Sequence, residues 1–157
     1  MIRDCDDMHT REPRRHLFDL LLQRVLRETG NPSIAMTCGI GRSMVRRLID
    51  DATLYMFDDF DIRLKARRLP RSVRLGGNRD HLWQALKSEV SQSCVAILGL
   101  AGKHAHWTVA AQVTPLSLRL FDSGKLHMLP RARCTVGRTL SRHQISRIHV
   151  LLFSRTS

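Results

Sequence analysis

The hydrophobic period of this chain changes once, near residue 93, and that change limits the folds open to it. Before it, apolar residues recur at helical spacing. One set is Leu17, Leu20, Leu21, Val25 and Leu26; a second is Ile40, Met44, Val45, Leu48 and Ile49; a third is Leu82, Trp83, Leu86 and Val90. After it come short apolar or alternating runs: CVAILGL from Cys94, HWTVAAQV from His106, LSLRLFD from Leu116 and RIHVLLFSR from Arg147. Helices followed by hairpin-connected strands predict an α+β fold with an antiparallel sheet.

Local signals set the boundaries. Thr10 caps a helix over Thr10–Glu28, and TGNP from Thr29 stops it, because Gly ends helices and Pro cannot continue one. Thr37 is placed to cap the second helix, with Cys38 at its first helical position and Arg42, Arg46 and Asp50 on the side away from the apolar stripe. Residues 51–77 show no clean period; RRLPRSVRLGG reads as an extended or looped basic segment. Asn78 caps a third helix running to about Gln92. In HWTVAAQV, alternation puts Trp107, Val109, Ala111 and Val113 on one face and His106, Thr108, Ala110 and Gln112 on the other, the more polar one. Pro130 marks an edge or a break in LHMLPRARCTV. A length of 157 residues predicts one domain, with 1–36 as an N-terminal helical extension and 37–155 as the core.

The net charge is +12, and 22 of the 26 basic residues are Arg. Such an excess attracts polyanions, though residues scattered along the chain also suit a solvated surface. The basic stretches Arg67–Arg74 and Pro130–Cys134 offer phosphate contacts. Aromatics are 5% of the chain and do not alternate with these basics, which argues against a stacking platform for single strands. MVRRLI has no helix before it at the short turn that a helix-turn-helix needs. Cys5, Cys38, Cys94 and Cys134 lack the close spacing of a zinc knuckle or redox dithiol, which predicts free thiols in a reducing cytoplasm. The polar opening shows no signal peptide, and the longest apolar run is too short to span a bilayer.

Cysteine chemistry is the sharpest functional signal. A helix N-terminus favours thiolate, so Cys38 at the start of a helix stands where a nucleophile belongs, with Gly39 leaving room for a substrate carbonyl. His106 can pair with a thiolate and later protonate a leaving group; His104 competes for that role. Asp122, at the end of the next strand, can orient the imidazole, and it also suits a simple turn before Ser123-Gly124. Cys38 suits a small buried hydrophobe, His104 a solvated turn, and His104, His106 and Cys38 together a zinc site lacking a fourth ligand. Cys94 reads as core; Cys5 and Cys134 read as structural or incidental.

TCGIGRSMVRRLI, then CVAILGL, HAHWTVAAQV and LRLFDSG, together resemble the papain-like cysteine peptidases of the bacteriocin-processing type. The resemblance spans about Thr37 to Gly124. It implies a papain-like α+β arrangement and carries the nucleophile to Cys38, the base to His106 and the orienting acid to Asp122. The family has a Gln about six residues before its Cys, donating to the oxyanion; here Pro32 stands at that point, Gln23 lies well upstream, and Asn31 is the nearest amide. The implied activity is thiol-dependent hydrolysis of a peptide or protein amide bond, with no metal or organic cofactor. The rival readings are a non-catalytic relative binding a peptide or protein, and a basic nucleic-acid-binding accessory protein.

Overall fold

The computed structural model describes residues 11–31, 40–76, 78–91, 93–102, 106–121, 126–137 and 142–156. The chain divides into two compact units, residues 1–64 with 156–157, and residues 65–155.

Among its described residues the first unit holds two helices of 19 residues, α1 (Arg11–Thr29) and α2 (Arg42–Phe60). Gly30 ends α1 in the left-handed region at φ 67°, its N–H reaching the Leu26 carbonyl at 2.9 Å. The two helices pack on each other, so the junction expected at residues 36/37 falls inside this unit. Arg24 donates twice to Asp51, and Arg47 pairs with Glu28. Tyr55, Phe60 and Ile62 form a small core with Leu17, Leu20, Met56 and Leu64 against it. The Tyr55 hydroxyl donates to the Pro13 carbonyl at 3.3 Å.

Helix α2 runs ten residues past Asp50, through the stretch with no clean sequence period. Tyr55 and Phe60 turn inward there, while Asp58 and Asp59 stay exposed, so the acids hide an apolar stripe that continues. Asp61 stops the helix in the left-handed region at φ 50°, a conformation that Asp tolerates better than most residues.

Among its described residues the second unit is a seven-stranded sheet with two helices. Its elements are β1 (Leu64–Arg68), α3 (Arg71–Gly76), α4 (Arg79–Glu89), β2 (Cys94–Gly102), β3 (His106–Val113), β4 (Ser117–Phe121), β5 (Met128–Pro130), a 3₁₀ turn (Arg131–Arg133), β6 (Cys134–Thr135) and β7 (His143–Arg155). Strand order is β1-β7-β2-β3-β4-β5, with β6 alongside β7. The β7–β2–β3–β4–β5 ladders are antiparallel and β6–β7 is parallel. This is the mixed helix and antiparallel-sheet class expected. The basic stretch expected to be extended or looped is extended at Arg67 and Arg68, in β1, but from Arg71 it forms the short α3, whose first turn hangs on the Pro70 carbonyl. Asn78 caps α4 as expected, its side chain accepting from the His81 N–H at 2.9 Å, but the helix ends at Glu89, short of Gln92.

Helix α4 lays Leu82, Trp83 and Leu86 on Ala96, Leu98 and Leu100 of β2, Ala110 of β3, Leu118 and Leu120 of β4, Leu129 of β5 and Ile145, Val150 and Leu152 of β7. Burying each large aliphatic side chain stabilises by about 1.5–3 kcal/mol. Trp83 has a polar anchor too: its indole N–H donates to the Thr114 carbonyl at 2.7 Å. That bond fixes the turn between β3 and β4, where the Thr114 N–H also donates to the Ser117 carbonyl at 2.8 Å.

Candidate functional site

The β3–β4 hairpin positions the candidate base. Val109 lies opposite Phe121 and Val113 opposite Leu118, so the start of β3 and the end of β4 share one end of the sheet. His106 is the first residue of β3, opposite Leu100 of β2, and is half-buried.

The face that His106 shares is not the solvated one expected. Thr108 is 3% exposed and Ala110 is fully buried, while Trp107 and Val109 on the other face are half-buried. Small side chains at 108 and 110 let α4 approach the sheet, and this overrode the polarity signal. A register shift between Ala110 and Gln112 then changes the alternation, and Val113 joins the core that Ala110 faces. The Thr108 hydroxyl is buried with no hydrogen-bond partner among the described residues.

The expected nucleophile helix also differs. Its N-cap is Gly41, extended at φ −71°, ψ 163°, with no side-chain cap bond, so its first helical position belongs to Arg42 and not to Cys38. Gly41 takes the N-cap position, where glycine is tolerated better than in a helix interior. Cys38 and its expected cap Thr37, Asp122 and the alternative base His104 lie outside the described residues. Asn31, the oxyanion candidate, is exposed just past α1, its carbonyl accepting from the Thr29 hydroxyl at 3.0 Å. Of the five candidates the described residues therefore hold two, His106 and Asn31, in different units. No group of three or more His, Cys, Asp or Glu among the described residues could hold a metal ion.

Two other thiols are placed. Cys134 is 1% exposed, its thiol donating to the Pro130 carbonyl at 3.3 Å, and burial pushes its pKa up to about 11. Burial likewise raises that of Cys94, 6% exposed in β2. Both disfavour thiolate.

Sequence reading missed two features. The first is a groove of about 540 Å³ between α1 and α2, with Asp19, Asp58 and Asp59 near Tyr55 and with the Arg24–Asp51 pair on its wall. Its signal was the second half of α2, whose period the acids obscured. The second is the distribution of charge. Residues 65–155 carry 16 of the 26 Lys and Arg but only 3 of the 14 Asp and Glu, a net +13, whereas residues 1–64 are close to neutral. The basic residues are scattered along the chain, but the acids are not.

No helix among the described residues is long and apolar enough to cross a membrane. Comparison with family models, curated proteins and solved structures gives no significant match.

Proposed function

We propose that this chain is a papain-like, thiol-dependent hydrolase of a peptide or protein amide bond, acting in the reducing cytoplasm. The observation that supports it is the hairpin register. The strand that His106 opens runs beside the strand that Asp122 follows in sequence, at the same end of the sheet. A base and its orienting acid drawn from one paired hairpin suit a catalytic imidazole.

In this reading the Cys38 thiolate attacks the substrate carbonyl carbon and the C–N bond breaks. His106 protonates the departing amine. The resulting thioester is then hydrolysed by a water whose proton passes to His106. Asp122 holds the imidazole, and Asn31 is the side-chain candidate for the oxyanion.

One observation favours a second reading, a non-catalytic relative that binds a peptide or protein: the first helical position of α2 is Arg42's, so the helix-terminus argument for a thiolate at Cys38 loses its basis. Iodoacetamide alkylation of each cysteine, followed by mass spectrometry from pH 5 to 8, separates the two. Fast reaction of Cys38 at acidic pH, slowed by His106→Ala, supports the hydrolase. A Cys38 rate no greater than that of an ordinary exposed thiol, or unchanged by His106→Ala, overturns it in favour of the binding protein.

A further inference from the structure

The +13 of the second unit has a focus. Strands β6 and β7 run parallel, with Cys134 opposite His143. Arg133 and Arg142 each immediately precede those residues, so they enter the parallel pair side by side, and both are exposed. Arg131, two residues before Arg133, lies over the Trp83 ring, its guanidinium carbon 5.7 Å from the centroid, and donates to Asp80 at 2.9 Å. Arg79, the first residue of α4, donates to the same carboxylate at 3.3 Å. The Arg79 charge is also close enough to Cys134 to oppose the rise that burial imposes on that thiol. Four guanidiniums thus gather around the start of α4 and the head of the β6–β7 pair, and a single carboxylate, Asp80, is shared between two of them.

Nothing else described in this unit offsets them. Its remaining described acid, Glu89, is held by Arg67 from β1. Surplus guanidiniums at an exposed surface are matched by multiply charged anions, and the planar donor fork of Arg fits phosphate oxygens in pairs. The charge spreads further, over exposed Arg71 and Arg119, which suits an extended polyanion better than a small ion. Few aromatics are available to stack bases, so the contact is with backbone and not with sequence.

We infer that the second unit binds the phosphodiester backbone of nucleic acid without sequence preference, through a patch centred on Arg79, Arg131, Arg133 and Arg142. This surface is independent of the proposed hydrolase and stands or falls separately.

The test uses the whole chain and fluorescence anisotropy with a labelled 20-base-pair DNA duplex of arbitrary sequence. Binding should be micromolar at low salt. It should weaken with a log–log salt slope of about −3, since roughly three guanidiniums remain after Asp80 is counted. Arg133→Glu/Arg142→Glu should weaken it at least about tenfold, while Lys65→Glu/Lys87→Glu, the same charge change on β1 and in the last turn of α4, should weaken it far less. Circular dichroism confirms that each variant keeps its fold; if the Arg pair does not fold, Arg133→Gln/Arg142→Gln replaces it with the same expected direction. Absence of binding at low salt overturns the inference. Equal loss in both double variants overturns the patch in favour of diffuse charge. Tighter binding to polyglutamate of similar length overturns nucleic acid in favour of an acidic protein partner.

Discussion

Arg24 on α1 holds both carboxylate oxygens of Asp51 on α2, with hydrogen bonds of 2.6 and 2.7 Å. The Asp51 pKa falls below its ordinary 3.8, chiefly because of those bonds. A depressed native pKa contributes stability that is fully present above the unfolded-state pKa and is lost as pH falls through the native one. Asp51→Asn should therefore melt at a lower temperature than the parent at pH 7. The gap should hold down to about pH 4 and shrink below it. Thermal melts at a series of pH values check this; an equal gap at pH 7 and pH 3 would sink it.

The Thr108 hydroxyl is buried and unpartnered among the described residues. Thr108→Val keeps the shape and removes the polar atom, so stability should rise by about 1 kcal/mol. Urea denaturation reads the change. Destabilisation would mean that the hydroxyl has a hydrogen-bond partner in solution.

Gly99 sits opposite Trp107 in the β2–β3 ladder. A Cβ there would stand 2.7 Å from the Cβ of His149 and 3.3 Å from the Trp107 ring. The Trp107 and His149 rings lie 5.6 Å apart, so a methyl would have to part them. Gly99→Ala should cost about 1–3 kcal/mol. An unchanged urea midpoint would show that the backbone does not approach so closely.

Trp83 combines a 2% exposed ring with a hydrogen bond to the Thr114 carbonyl. Trp83→Phe, which leaves that carbonyl without the donor, should cost about 1–3 kcal/mol, and Trp83→Ala about 3–5 kcal/mol. The ordering of the two variants by urea midpoint is the check; a neutral Trp83→Phe would remove the indole bond from the account.

The Cys134 thiol, buried and with its pKa at about 11, should resist alkylation at pH 8 in the native protein and react once the chain is unfolded in guanidinium. Equal native and unfolded rates would contradict its burial.

Where one principle acted alone, the elements were legible. Helix α1, the Asn78 cap, the β3 bounds and the break at Pro130 each followed from a period or a single capping or turn residue. Where two principles competed, the reading failed. Acids concealed the second half of α2, and its N-cap is Gly41, so it starts at Arg42 and not at Cys38. On β3, polarity pointed His106, Thr108 and Ala110 toward water, but the need for small residues under α4 turned that face inward. Of the candidate site, the position of His106 at the head of β3 was legible, because alternation fixes where a strand begins.

The sequence by itself determined the change of period at residue 93, and with it the α+β class, since a helical stripe and an alternating strand each bury one face only when folded as such. Only the tertiary structure decided which face of β3 meets α4, and which arginines gather. Packing volume and strand register bring together residues such as Arg79, Arg133 and Arg142, whose distance along the chain says nothing about their distance in space.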